Sequence, residues 1–161
     1  MPRRLRLVEL DFAATAPVRL AFTAELAAPP GDVYRALAED VESTPDWFAA
    51  VAVATPHEGG AGRTVRLRGG IGFRETIMAA EPGARYAYRI DETNAPGVTA
   101  MLEDWVLSPA AGAGTRVTWT MAVDGPAPCR LALRLARPGV RKSFRDAMRC
   151  LDRRLTPASR P

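Results

Sequence analysis

The spacing of apolar side chains changes period along the chain. From Val18 to Ala27 (VRLAFTAELA) apolar and polar positions alternate, the signature of a half-buried strand, and Pro29-Pro30 ends it. Asp32 is placed to cap a short helix over VYRALAED, residues 33–40. Ser43-Thr44-Pro45 opens a second short helix with Trp47 and Phe48 as apolar anchors; Pro45 suits a first turn, where its missing N–H is not needed. Six short strands follow: Val51–Thr55, Thr64–Arg68, Phe73–Ala80, Arg85–Asp91, Val98–Leu107 and Arg116–Val123. Turn residues separate them: His57–Gly62, Gly69-Gly70, Glu81-Pro82-Gly83-Ala84, Thr93–Gly97 and Pro109–Gly114. From Cys129 the period becomes 3.6, with Val140, Phe144, Ala147, Met148, Leu151 and Leu155 on one helical face. Pro138-Gly139 is expected to kink or split that helix.

The order is thus strand, two short helices, six strands, one long helix, an α+β pattern. Short links predict antiparallel neighbours. The helix has to bury its apolar stripe, and the concave face of the sheet is the available partner.

This order resembles the START/Bet v 1-like (SRPBCC) superfamily, in particular its polyketide cyclase/dehydrase and lipid transport branch. Four segments carry the resemblance: Glu25-Leu-Ala-Ala-Pro-Pro-Gly-Asp-Val-Tyr-Arg-Ala-Leu-Ala-Glu-Asp40, Trp47-Phe48, Glu81-Pro-Gly-Ala-Arg-Tyr-Ala-Tyr88 and Leu107-Ser-Pro-Ala-Ala-Gly-Ala-Gly-Thr-Arg-Val-Thr-Trp119. It implies a helix-grip fold: a seven-stranded antiparallel curved sheet wrapped around the C-terminal helix, with the two short helices between the first two strands. It also implies an interior cavity for a small hydrophobic molecule, lipid or polyketide-like, and no cofactor. The glycine-rich segment after His57 would be a lid over that cavity. The chain reads as one domain over residues 1–161: a core of about 18–155, an N-terminal extension at 1–16, and a frayed tail at 156–161.

Strand parity assigns side chains to faces. In the last strand Val117, Trp119, Met121 and Val123 are expected to face the helix, and Thr118, Thr120 and Ala122 solvent. If Glu81 and Ala84 flank a Pro82-Gly83 turn, Ala79 faces Tyr86, Ile77 faces Tyr88 and Glu75 faces Ile90. That turns Phe73, Glu75, Ile77, Tyr86, Tyr88 and Ile90 inward, and leaves an Arg74–Asp91 pair on the solvent face. In the strand between, the larger apolar groups put Met101, Glu103, Trp105 and Leu107 inside and Leu102, Asp104 and Val106 outside. Glu75 and Glu103 would then flank the tyrosine strand, ~10 Å apart, with Tyr88 between them.

A carboxylate buried without a partner has its pKa raised, which prepares a general acid or base, so Glu75, Glu103 and Tyr88 are the candidate catalytic groups. In the alternative, each acid is satisfied by an arginine or a tyrosine in a structural network. The candidate ligand-binding set is Trp47, Phe73, Ile77, Tyr86, Tyr88, Met101, Trp105, Trp119, Met121, Phe144 and Met148. His57, the one histidine, reads as a loop residue. With Cys129 and Cys150 it is too little for a structural zinc site, and no metal is expected. Neither Gly59-Gly60-Ala61-Gly62 nor Gly69-Gly70-Ile71-Gly72 is a phosphate cradle; both read as hairpin turns.

Composition adds one asymmetry. The net charge is +4, yet from Arg130 onward there are ten Arg/Lys and two Asp/Glu. The C-terminal helix is therefore strongly basic and the rest of the chain slightly acidic. Nothing approaches a membrane span or a signal-peptide core, so cytoplasmic location and no integral membrane association are expected. Three functions stay open: binding of a small hydrophobic ligand, cyclase/dehydratase chemistry on pocket carboxylates, or peripheral interaction through the basic helix. Nucleic acid is not the expected partner, because the one aromatic of that segment, Phe144, belongs to the buried stripe and is not free for base stacking.

Overall fold

The computed structural model describes residues 1–157. Seven long antiparallel strands form one sheet in the order β2-β8-β7-β6-β5-β4-β3. They are β2 (Val18–Leu26), β3 (Val51–Pro56), β4 (Gly62–Leu67), β5 (Gly72–Glu81), β6 (Arg85–Thr93), β7 (Ala100–Pro109) and β8 (Thr115–Asp124). A two-residue strand, β1 (Arg3–Arg4), adds to β6. Every long strand except β2 pairs with its neighbour in sequence, so among the long strands only the β2–β8 pairing spans distant segments. The two short helices fall between β2 and β3. One is α2 (Pro30–Tyr34), running into a π-helical turn, Arg35–Glu39; the other is a 3-10 turn, Val41–Ser43, running into α3 (Thr44–Trp47). Helix α4 (Ala127–Leu155) lies against β2 and holds Phe144, Ala147, Met148 and Leu151 in the core. Near its end the Asp152 carboxylate accepts the backbone N–H groups of Ala27 and Ala28, fixing the helix to the chain just beyond β2.

Several expectations need correction. Asp32 is not the helix cap: Pro29 is, Pro30 occupies the first turn, and Asp32 lies inside it, paired with Arg35 at 3.2 Å. Pro138 does not split α4, which runs as one 29-residue helix through it. The β5–β6 connection has three residues, with Glu81 opposite Arg85, Gly83 at φ 70° and the Ala84 N–H donated to the Glu81 carbonyl. A two-residue turn had been expected, and the additional residue is absorbed by a bulge at Met78. Glu75 opposite Ile90 and Ile77 opposite Tyr88 therefore hold as expected, but Ala79 faces Ala87 and Tyr86 faces Ala80. A second irregularity, between Arg74 and Glu75, places Arg74 opposite Glu92. Asp91 is engaged instead by Arg89 and Thr76.

The outer face of the sheet is not all solvent-facing. Ala122 and Leu102 are fully buried, and Thr120 nearly so. Residues 5–16 run over this face, with α1 (Phe12–Thr15) on top, and Val8, Phe12, Ala13 and Ala16 cover Ala100, Leu102 and Ala122. Arg19 donates to the Ala13 carbonyl at 2.6 Å, tying the segment to β2. The segment read as an extension thus supplies the second layer that a two-faced sheet needs.

Candidate functional site

The concave face of the sheet, α3 and the middle of α4 enclose a cavity of about 210 Å³. Parity on β6, β7 and β8 puts Tyr86, Tyr88, Met101, Glu103, Trp105, Trp119 and Met121 on its wall; β5 adds Phe73 and Glu75, and α3 adds Trp47. All three candidate catalytic residues and eight of the candidate ligand-binding residues therefore meet at one cavity. The other three do not. Ile77 borders a separate hollow of about 180 Å³ beside Tyr34 and Tyr86. Phe144 is filled in behind the wall, stacked on Trp119 at 5.7 Å and on Phe22 at 5.9 Å. Met148 belongs to the packed core one turn further on.

Sequence parity overlooked the residue that organises the polar end. Arg63, 7% exposed, lies directly opposite Glu75 in the β4–β5 register, and its Nε donates to Glu75 Oε2. Its guanidinium also lies over the Tyr88 ring, 4.2 Å from the centroid, and over Tyr86 at 5.5 Å. Alternation starts the strand at Thr64 and ends the loop at Gly62, which leaves Arg63 assigned to neither. A two-residue Gly69-Gly70 turn would pair Arg63 with Thr76; the connection instead has three residues, 68–70, with Leu67 bonded to Ile71, and this sets Arg63 against Glu75. Gly62 makes the approach possible, since a Cβ there would lie 2.2 Å from the Glu75 carbonyl oxygen. Leu37, Thr44, Phe48, Val65, Val140 and Ser143 also reach the cavity and were not anticipated.

Glu103 is held differently. Its Oε2 accepts the Tyr88 hydroxyl at 2.5 Å and the Trp119 indole N–H at 3.0 Å, and the Tyr88 oxygen in turn accepts the Trp105 indole N–H at 3.1 Å. Tyr88 is directly opposite Glu103 across β6–β7, so the chain of bonds follows from the register. Trp105 and Trp119 stack at 5.2 Å and 18°, presenting a flat aromatic wall next to the acid. Glu103 Oε1 accepts no hydrogen bond from the described residues. The buried Trp47 indole N–H, unlike those of the other two tryptophans, has no partner among the described residues.

The charge balance is uneven: one guanidinium serves two carboxylates. Burial pushes Glu75 up to about 7; Arg63 pulls against this and Glu103 adds to it. Burial also raises Glu103, opposed by the bonds from Tyr88 and Trp119 and by Arg63. Tyr88 is raised well above its ordinary value by burial and by Glu103, so it keeps its proton and acts as a donor. Burial works against the Arg63 charge, but Glu75 outweighs it and Arg63 stays a cation. The arrangement can hold a proton near neutral pH and can receive a polar group at Glu103 Oε1. His57 is not part of it; its Nε2 bonds Thr64 Oγ1 at 2.9 Å in the β3–β4 connection.

A curved antiparallel sheet gripping a C-terminal helix around a cavity defines the helix-grip class, and comparison with solved structures agrees. A START superfamily protein from Mycobacterium smegmatis superposes with a TM-score of 0.66 at 11% identity, over 85% of this chain and 96% of that one. A major latex-like protein from Panax ginseng does so at 0.68 and 11%, over 87% and 98%. The chain belongs to the polyketide cyclase / dehydrase and lipid transport family, whose model matches residues 17–156. An uncharacterized protein of Mycobacterium tuberculosis is 36% identical over 160 residues, covering 94% of this chain and 95% of its own.

Proposed function

We propose that this protein binds a small, flat, mostly apolar molecule of about one or two rings, with a hydroxyl or carbonyl end placed at Glu103 and Tyr88. The observation that carries the reading is the cavity itself: about 210 Å³, walled mostly by apolar and aromatic side chains including the stacked tryptophans, with its charged groups clustered about Arg63 and Tyr88. An engineered apolar cavity of ~150 Å³ accommodates benzene, whereas sites for drug-sized ligands run to ~300–1,000 Å³. A long-chain or diacyl lipid would have to displace side chains, so the size favours a compact ring compound. Quenching of Trp105 and Trp119 fluorescence tests this with phenol, a naphthol, a tetracyclic phenol and a long-chain alcohol. Saturable binding of the one- and two-ring phenols, weakened by Glu103→Gln and absent for the two larger compounds, is the expected result. Binding of the long chain alone would overturn it.

A second reading is favoured by one observation, the carboxyl of Glu75 raised to about 7 beside a second raised acid. On that reading the pair moves a proton on a bound cyclising or dehydrating substrate, and positioning supplies much of the rate. A pH–rate profile unaltered by both Glu75→Gln and Glu103→Gln would end it.

A further inference from the structure

The first half of α4 contributes little to the core: between Ala127 and Ser143 no side chain is fully buried, Cys129, Leu133 and Val140 pack against the core only in part, and Leu131 and Leu135 are 57% and 72% exposed. On a helix turning ~100° per residue, Leu131, Leu135, Lys142, Arg149 and Arg153 fall within a stripe ~40° wide, opposite the buried Phe144–Leu151 face. At ~1.5 Å per residue the stripe is ~33 Å long, with leucines at one end and cations along the remainder. Arg145 flanks it. Arg145, Arg149 and Arg153 make no hydrogen bond or ion pair with the described residues. Of the two acids on the helix, Asp146 is taken by Lys142 at 2.5 Å and Asp152 by the backbone at Ala27 and Ala28. Of the cations on this face only Lys142 is paired with an acid, and the single Asp146 carboxylate is left to face Arg145 and Arg149 as well. Arg134 is anchored differently, donating to the Pro17 carbonyl, and holds the helix to the sheet. Among the described residues no helix is long and apolar enough to cross a membrane, so the feature is a surface one.

We infer that the outward stripe of α4 is a docking surface for a bilayer bearing anionic lipid: Leu131 and Leu135 enter the acyl boundary while Arg145, Arg149 and Arg153 meet the headgroups. Exposed leucines that can bury apolar area and unpaired arginines attracted to anionic headgroups are the two contributions that hold a surface at the membrane interface. Nucleic acid would use the arginines and leave the leucines in water. The cavity lies close by, since Val140 and Ser143 on its wall follow Leu135 within ~12 Å along the helix axis. The inference does not depend on what the cavity holds.

Co-sedimentation of the full chain with phosphatidylcholine vesicles, with and without phosphatidylglycerol, tests it. The expected result is binding only when phosphatidylglycerol is present, falling as salt is added. At ~1 kcal/mol per basic residue near an anionic surface, Arg145→Gln with Arg149→Gln weakens binding roughly thirtyfold. Leu131→Ser with Leu135→Ser weakens it roughly tenfold or more. All four positions are exposed, so near-ultraviolet circular dichroism of the variants stays that of the wild type, and the wild-type salt titration stands without them. Absence of wild-type binding to phosphatidylglycerol vesicles at low salt overturns the inference. So does binding that the leucine pair leaves unchanged, or binding to duplex DNA in place of vesicles.

Discussion

Arg63 is the residue on which the polar end of the cavity depends. It is the buried cation between two carboxylates, bonded to Glu75 and stacked on Tyr88. Removing one partner of a buried ion pair typically costs ~3–5 kcal/mol, because the other charge is left uncompensated. Arg63→Met is therefore expected to lower stability by about that much at about pH 8, and by clearly less at about pH 5, where the freed carboxyls take up protons. Urea unfolding at the two pH values measures it, and an equal loss at both would contradict the charge argument. The wild type has its own dependence. Folded Glu75 keeps its proton to about pH 7, whereas an ordinary glutamate releases it near 4.5. The folded state thus binds more protons between these values, so the contribution of Glu75 to stability is fully present below them and is lost as pH rises to about 7. Because Glu103 pushes Glu75 upward, Glu103→Gln is expected to shift the Glu75 titration down, as read by carboxyl carbon NMR; an unchanged titration would mean the two acids do not communicate. At this scale the sequence was readable where alternation is strict. It gave the inward acids and tyrosines from parity, but it missed Arg63, whose role is visible only once the β4 start and the β4–β5 register are known.

The elements divide into those set by local pattern and those set by packing. The strands and the C-terminal helix follow from their periods, and seven strands with two short helices after the first were legible from turn residues alone. Bulges were not. The bulge at Met78 moves Tyr86 from Ala79 to Ala80 and leaves Glu75 and Ile77 in place, an outcome that alternation cannot distinguish from an uninterrupted ladder. The N-terminal segment was also unreadable as a layer. Residues 1–16 show no long period, and their partner is the outer set Ala100, Leu102 and Ala122, on the face that alternation assigns to solvent. Phe12, 7% exposed, is the largest side chain in that layer. Phe12→Ala is expected to cost ~3 kcal/mol, at the low end for a buried phenylalanine, without changing ligand affinity, because the layer is on the far side of the sheet from the cavity. Thermal unfolding and the fluorescence titration check both parts. A stable variant would mean that residues 5–16 cover the sheet without supporting it, and a large loss of affinity would mean that the sheet transmits their packing.

At the scale of the whole molecule, sheet curvature and the long helix leave an interior space that the side chains do not fill. Family membership and fold are compatible with hydrophobic ligand binding or with cyclase-like chemistry. The proposed occupant follows from the shape and polarity of that space: apolar and aromatic over most of the wall, with an acid–tyrosine–arginine cluster at one end. The measurement that tests this most directly is native mass spectrometry of the freshly purified full chain, followed by solvent extraction of whatever it carries. The account predicts a compact ring compound of one or two rings at one per chain, released on replacing Met121 by Trp to fill the cavity. A chain that emerges empty and stays empty when offered one- and two-ring phenols, or that carries only a long-chain lipid, would contradict it.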